Sequence, residues 1–230
     1  MMDRKKLLLL YNPSAGRAQT SRNLDMLLQK FCTGGCETTV YPILDGLNAE
    51  DILAGAESAG YDIVVCCGGD GTLHHTVNGL LRLEQPPLLG YIPSGSTNDF
   101  AASLGLPKTP EDAADAVVNG RPHAIDAGDF GGELFCYVAA FGAFSAVSYE
   151  TPQNMKNAMG HLAYIIEGVK RLPIGEKYPA RVEVGDQVFE EEFLFCSISN
   201  TTSIGGFSLD KSGEATLDDG EFEVLLIKAP

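Results

Sequence analysis

The chain has 230 residues, 44% of them hydrophobic and 20% charged, and a formal net charge of −15. That length and balance describe an ordinary globular protein with a sizeable core and exclude a disordered chain. The acidity excludes nucleic acid as a partner, which would need a basic stripe, and the longest apolar run, Leu7 to Tyr11, is too short to span a bilayer.

No secretory cleavage pattern follows that run, so Lys6–Tyr11 reads as a first strand and the cytoplasm as the compartment. Thr20–Phe31 places Leu24, Leu27, Leu28 and Phe31 at helical spacing, with Thr20 or Ser21 as cap. Thr38–Ile43 is predicted as a strand and Ala49–Ala59 as a helix. Asp62–Cys67 is a near-continuous apolar run, the pattern of a central parallel strand. Thr72–Leu83 is a helix with Leu73, Val77, Leu80 and Leu81 on one face, and Leu88–Ile92 is another strand. Thr109 caps a helix with Pro110 first, Glu111 and Asp112 in its first turn, and an end at Asn119-Gly120. Repeated β-then-α units with short loops mean a parallel α/β sheet, assigned to residues 1–121.

From residue 122 to 230 the texture is mainly β. Ala124–Asp129, Leu134–Phe144, Ala180–Val184, Val188–Ser199 and Phe222–Lys228 read as strands, with a hairpin turn at Gly185-Asp186. A single helix, Met159–Arg171, interrupts them.

Three glycine-bearing turns follow strands of the first domain: "YNPSAGR" (Tyr11–Arg17), "GGDGT" (Gly68–Thr72) and "PSGSTNDFA" (Pro93–Ala101). In an open parallel sheet, ligands bind beyond the carboxyl ends of the strands, so all three turns fall on one rim. The bare backbone of Gly68–Thr72 permits close approach and an N–H nest, and the helix that follows aims its positive end at the same spot. These are the properties of a phosphate cradle. Asp70 within it repels phosphate directly, but suits a magnesium ion or a hydroxyl about to become a nucleophile. Neither GxxxxGK[ST] nor GxGxxG after a strand is present, which removes the P-loop and dinucleotide readings.

"NPSAG", "GGDGT", "PSGSTNDFA" and "ATLDDGEFEVLLIK", in this order, resemble the diacylglycerol kinase catalytic-domain family, which includes bacterial lipid kinases and the sphingosine and ceramide kinases. The resemblance implies an α/β fold: an N-terminal parallel-sheet nucleotide-binding domain (NAD kinase/diacylglycerol kinase-like), then a mainly β lipid-acceptor domain. It implies that Asn12, Pro13, Ser14, Ala15 and Gly16 form the first nucleotide-contacting loop. Gly68, Gly69, Asp70, Gly71 and Thr72 match the phosphate loop, with Asp70 as the catalytic acid. In the third turn the family's pattern is GTxNDFA. Ser96 stands at its threonine, keeping the hydroxyl, and Asn98 at its asparagine. Arg17 is the nearest cation to the first loop.

The resemblance further implies a structural magnesium ion at Asp219, with Thr216 and the Glu221 carbonyl as lesser ligands; hard oxygen donors on a turn suit magnesium. Family members usually continue beyond the position of Pro230, into further strands and an acidic residue proposed as general base, so the second domain is expected to be incomplete. The activity implied is ATP-dependent transfer of the γ-phosphoryl group to a lipid hydroxyl, diacylglycerol first. The alternatives are a nucleotide-binding regulatory module or inactive fragment, or a kinase acting on another lipid or on NAD. Implied partners are ATP, magnesium, a lipid acceptor and a peripheral contact at the inner face of the membrane, with a homodimer as a possible assembly.

Other features carry less. Cys32, Cys36, Cys66, Cys67, Cys136 and Cys196 form no CxxC pair and read as reduced core thiols. His74 and His75 point about 100° apart on a helix, which rules out a shared metal and leaves capping or packing, with one of them facing the cleft as the alternative. "GGELFCYVAAFGAF" (Gly131–Phe144) reads as core or as an acyl-chain wall. Tyr164 and Lys156 flank the second-domain helix, which could meet a membrane surface.

Overall fold

The computed structural model describes residues 4–15, 19–44, 46–96, 98–142, 176–201, 203–204, 207–208 and 216–229. The chain divides into two compact units, Met1–Phe135 and Cys136–Pro230.

The first unit grows around strand β1 (Lys5–Tyr11). Its four consecutive leucines alternate between faces, and none of Leu7 to Leu10 is more than 2% exposed. Leu7 and Leu9 face Leu27 and Phe31 of helix α1 (Gln19–Thr33), while Leu8 and Leu10 face Leu53 of helix α2 (Ala49–Ala54). Burying each such side chain is worth about 1.5–3 kcal/mol, which makes β1 the centre of a three-layer α/β/α sandwich. Strand β2 (Cys36–Pro42) pairs with one edge of β1 and β3 (Ile63–Gly68) with the other, both in parallel; β4 (Leu88–Pro93) then pairs with β3. The sheet order is β2-β1-β3-β4. All six residues of β3 are buried, as its unbroken apolar run requires. Helices α3 (Asp70–Leu81), α4 (Asp99–Ser103) and α5 (Pro110–Asn119) complete the unit.

Several boundaries differ from expectation for local reasons. The helix predicted over Ala49–Ala59 ends at Ala54, where Gly55 caps it, and the chain continues as a 3₁₀ turn over Glu57–Ala59. Its start is fixed by a capping box in which Asn48 accepts the Asp51 amide at 2.9 Å. Thr20 and Ser21, expected as caps, lie inside α1. Helix α3 begins two residues before Thr72, so Asp70 belongs to its first turn. Residues 124–127 form no strand; the ladder starts only at β5 (Gly128–Phe130), because its hairpin partner β6 (Glu133–Phe135) is three residues long and pairs with those three alone. The strand expected over Leu134–Phe144 is divided, because β6 pairs with β5 while β7 (Val138–Gly142) pairs in the second unit.

The side-chain hydroxyl of Thr38, on β2 between Cys36 and Val40 of the core face, is buried without a hydrogen-bond partner. An unsatisfied buried hydroxyl costs about 1–3 kcal/mol. Thr38→Val is therefore expected to stabilise the protein by roughly 1 kcal/mol, read as a rise of about 2–4 °C in melting temperature. A fall on thermal unfolding would show that the hydroxyl finds a partner in solution.

In the second unit β9 (Gln187–Ser199) is the spine. Its first half pairs antiparallel with β8 (Tyr178–Val184) through the expected Gly185-Asp186 turn. Its second half pairs with β7 on one side and, past the two-residue strands β10 (Ser203–Ile204) and β11 (Phe207–Ser208), with β12 (Glu223–Lys228) on the other. Phe193, Phe195, Cys196, Ser197 and Ser199 are its buried residues. The helix expected over 159–171, with Lys156, His161 and Tyr164, lies outside the described residues. None of the six cysteines is in a disulfide; Cys36, Cys66, Cys67 and Cys196 are buried as expected, but Cys32 is exposed and Cys136 half-buried.

Candidate nucleotide site

Strand β1 is followed by a neighbour on one side (β2) and then by one on the other (β3), so the loops leaving β1 and β3 part company at their carboxyl ends. That divergence is where an open α/β sheet leaves a crevice. The amide of Asn12 donates to the Cys67 carbonyl at 2.9 Å, extending the β1–β3 pairing to the lip of the crevice. The Asn12 side chain then spends both ends on positioning: Nδ2 donates to Thr72 Oγ1 at 3.2 Å, and Oδ1 accepts the Ser14 amide at 2.9 Å. The first and second glycine turns are thus tied by one residue.

The second and third turns touch through bare backbone. The Ser94 amide donates to the Gly68 carbonyl at 2.8 Å. A Cβ on Gly95 would lie 2.6 Å from Gly69 Cα, and one on Gly68 would lie 2.6 Å from the Thr72 side chain. Both glycines are therefore required by packing. Asn98, left-handed at φ +53°, accepts the Gly95 amide at 2.8 Å and donates to the Gly95 carbonyl at 3.0 Å, folding the third turn back on itself. Asparagine tolerates that conformation better than most residues.

Gly71 is different. A Cβ there would meet no atom within 4 Å. It faces a cleft of about 470 Å³ lined by Asn12, Ser14 and Ala15 from the first turn, Gly69, Gly71, Thr72 and His75, Gly95 and Ser96 from the third turn, and Ile43, Asn48 and Ala49 from the β2–α2 side. The three glycine turns do converge. Asn48 and the β2–α2 side carry no fingerprint for a binding site in the sequence, and of the two adjacent histidines it is His75 that lines the cleft.

Asp70 is not among the cleft-lining residues. Its carboxylate turns toward the start of α4, where Oδ2 accepts the Asp99 amide at 3.4 Å. Its Oδ1 is buried and has no hydrogen-bond partner among the described residues. Burial pushes the Asp70 carboxyl above the usual range, the nearby Asp99 charge adds to this, and the amides at the start of α4 offset part of it. A half-buried carboxylate with an orphaned oxygen suits a cation or hydrated cation arriving with a ligand. Cys67, just below, has its thiol pushed up to about 11 by burial and lies 3.4 Å from Ser94 Oγ, so it is a packed neighbour rather than a nucleophile.

Pro13 occupies the turn between Asn12 and Ser14, and Gly16 and Arg17 lie outside the described residues. In the second unit the Thr216 hydroxyl donates to Asp219 Oδ2 at 2.6 Å and the Glu221 amide to Asp219 Oδ1 at 3.0 Å. The Thr216 bond first, then the Glu221 amide, hold the exposed Asp219 carboxyl below its usual range. The three residues meet through hydrogen bonds that close the turn on itself. Among the described residues no three His, Cys, Asp or Glu gather as a metal centre would.

The diacylglycerol kinase catalytic domain model matches residues 6–130. The chain is 35% identical over 227 residues to a diacylglycerol kinase of Bacillus subtilis (strain 168), covering 97% of this chain and 74% of that protein. It is 35% identical over 225 residues to a diacylglycerol kinase of Staphylococcus saprophyticus, covering 98% of this chain and 73% of that one. A solved Bacillus anthracis (strain Sterne) structure described as a diacylglycerol kinase superposes with TM-score 0.78 at 25% identity, covering 100% of this chain and 75% of that one. The chain belongs to the diacylglycerol kinase catalytic-domain family, a family of lipid kinases. It is accordingly an α/β kinase with ATP as its co-substrate. No helix among the described residues is long and apolar enough to cross a membrane.

Proposed function

We propose that the protein transfers the γ-phosphoryl group of ATP to the hydroxyl of a membrane lipid, diacylglycerol giving phosphatidic acid. The observation that carries this is Gly71: among the described residues none comes within 4 Å of a Cβ placed there, and it lies at the positive start of α3 and lines the cleft. A triphosphate tail is the ligand that such a surface accommodates. Asn12 and Thr72 hold the first two turns in register, and Gly95 and Asn98 set the third against them, so the cleft is preorganised rather than assembled on binding.

Magnesium, when bound with the nucleotide, would supply charge neutralisation at the phosphates, and the Asp70 carboxylate is the group here that fits it. Asp70 would orient that charge and the incoming hydroxyl, while the amides of Gly69, Gly71 and Thr72 receive the phosphate oxygens. Asp219, Thr216 and Glu221 already satisfy one another, so no step is routed through them. An insoluble acceptor calls for peripheral contact at a membrane surface.

The test is incubation with labelled ATP, magnesium, NAD and mixed micelles of diacylglycerol, followed by chromatography of the lipid and aqueous fractions. Label is expected in phosphatidic acid. Label in another phospholipid would change the acceptor, and label in NADP or nucleotide binding without any product would overturn the reading.

A further inference from the structure

Among the described residues that line the cleft, His75 is the only side chain able to carry a charge. The other side chains there are neutral, on a protein of net charge −15. His75 lies four residues after Gly71 and three after Thr72, so the three share one face of α3, with His75 about 6 Å further along the axis. A ligand whose phosphates rest at the helix start would run past this imidazole.

The ring is held in place. His75 Nδ1 lies 2.9 Å from Glu50 Oε1, and the other carboxylate oxygen of Glu50 accepts from Arg82 at 2.7 Å. The bond to His75 first, with Arg82 assisting, keeps the Glu50 carboxyl below its usual range. A bond at Nδ1 leaves Nε2 for the cleft: an acceptor when the ring is neutral, a charged donor when protonated. The charges facing this group are known from each element packed on α3. From α2 come Glu50 and, engaged in the Asn48 capping box, Asp51. From α3 come the His74 ring, whose centroid is 5.4 Å away edge-on, and Asp70, whose carboxylate turns to α4; Arg82 caps the helix end. From β6 comes Glu133, 4.0 Å from Arg82. Strand β3 brings no carboxylate or amine.

We propose that His75, aimed by Glu50, is the proton-linked contact of this cleft: it accepts a proton as an anionic nucleotide binds, making affinity depend on pH. The proposal rests on the nucleotide reading above. The sign follows from linkage. A bound polyanion favours the imidazolium over the neutral ring, so the extra affinity is present toward acid pH and is lost as pH rises.

Calorimetric titration with ATP and excess magnesium, in buffers of different ionisation enthalpy, reads this directly. Near pH 7 the parent is expected to take up a fraction of a proton per nucleotide, and His75→Gln to take up none. His75→Gln is expected to bind about fivefold more weakly than the parent at pH 6 and equally at pH 8.5. Glu50→Gln is expected to move the parent's pH profile toward acid. A merely structural histidine would weaken binding equally at all pH values. Proton uptake that persists in His75→Gln, or a parent profile flat from pH 6 to 8.5 with binding intact, overturns the proposal and spares the nucleotide reading. Absence of binding heat at every pH overturns both.

Discussion

Asp70→Asn is expected to yield a folded protein whose phosphoryl transfer is roughly a thousandfold slower, the loss typical when one electrostatic contributor to a reacting site is removed. Its stability is expected to hold or rise. The Asp70 carboxyl is pushed up mainly by burial, so the folded state keeps that proton longer than the unfolded chain does. Its ionisation therefore opposes folding: the cost is absent well below the ordinary carboxylate value near ~3.9 and grows as pH rises through the higher folded value. Asparagine has almost the same shape and no charge, and escapes that cost at neutral pH. The melting-temperature difference between variant and parent should therefore move in the variant's favour between about pH 4 and pH 7. Near-parental turnover would remove Asp70 from the reaction. A large drop in melting temperature at pH 7 would make it chiefly a brace for the start of α4, where Oδ2 meets the Asp99 amide.

Gly71→Ala is expected to separate stability from binding in the same way, by a different route. A methyl group at residue 71 would touch no atom within 4 Å, and the position is helical. Replacing glycine by alanine in a helix stabilises by about 0.5–1 kcal/mol, chiefly through the unfolded chain. In a chain of this size that is a rise of about 2–3 °C. The same methyl would stand where a phosphate must approach, raising the nucleotide KM at least about tenfold. Gly95→Ala provides the contrast, since its Cβ would press on Gly69 Cα at 2.6 Å and on Asn98 Oδ1 at 2.7 Å. That variant should lose about 1–3 kcal/mol as well as binding. Unchanged nucleotide affinity in Gly71→Ala would mean that no ligand passes over this glycine.

The contrast shows how unevenly the site is written in the sequence. Spacing alone places Gly68, Gly69, Gly71 and Gly95 on one rim, but it cannot distinguish a glycine needed by its neighbours from one needed by a ligand. That distinction depends on what lies within a few ångströms of a missing Cβ. Asn98 matches a nucleotide-site motif, yet its side chain holds Gly95. Asp70 stands in the middle of the cradle in sequence, yet its carboxylate faces α4. His75 reads as half of an unremarkable histidine pair until α2 brings Glu50 to its Nδ1.

The amino-acid sequence by itself determined the alternation of β1, α1, β2, α2 and β3, because periods of two and 3.6 in apolar residues are local properties of the chain. It also determined the capped start of α5 and the Gly185-Asp186 hairpin, where one or two residues set the backbone angles. Only the tertiary structure decided the rest. It ended α2 at Gly55, divided 134–142 between two sheets, and seated Thr216 and Asp219 on each other. It also made neighbours of His75 and Glu50, 25 residues apart. Such pairings follow from which elements pack together, and a side chain's partner across that distance leaves no period in the sequence.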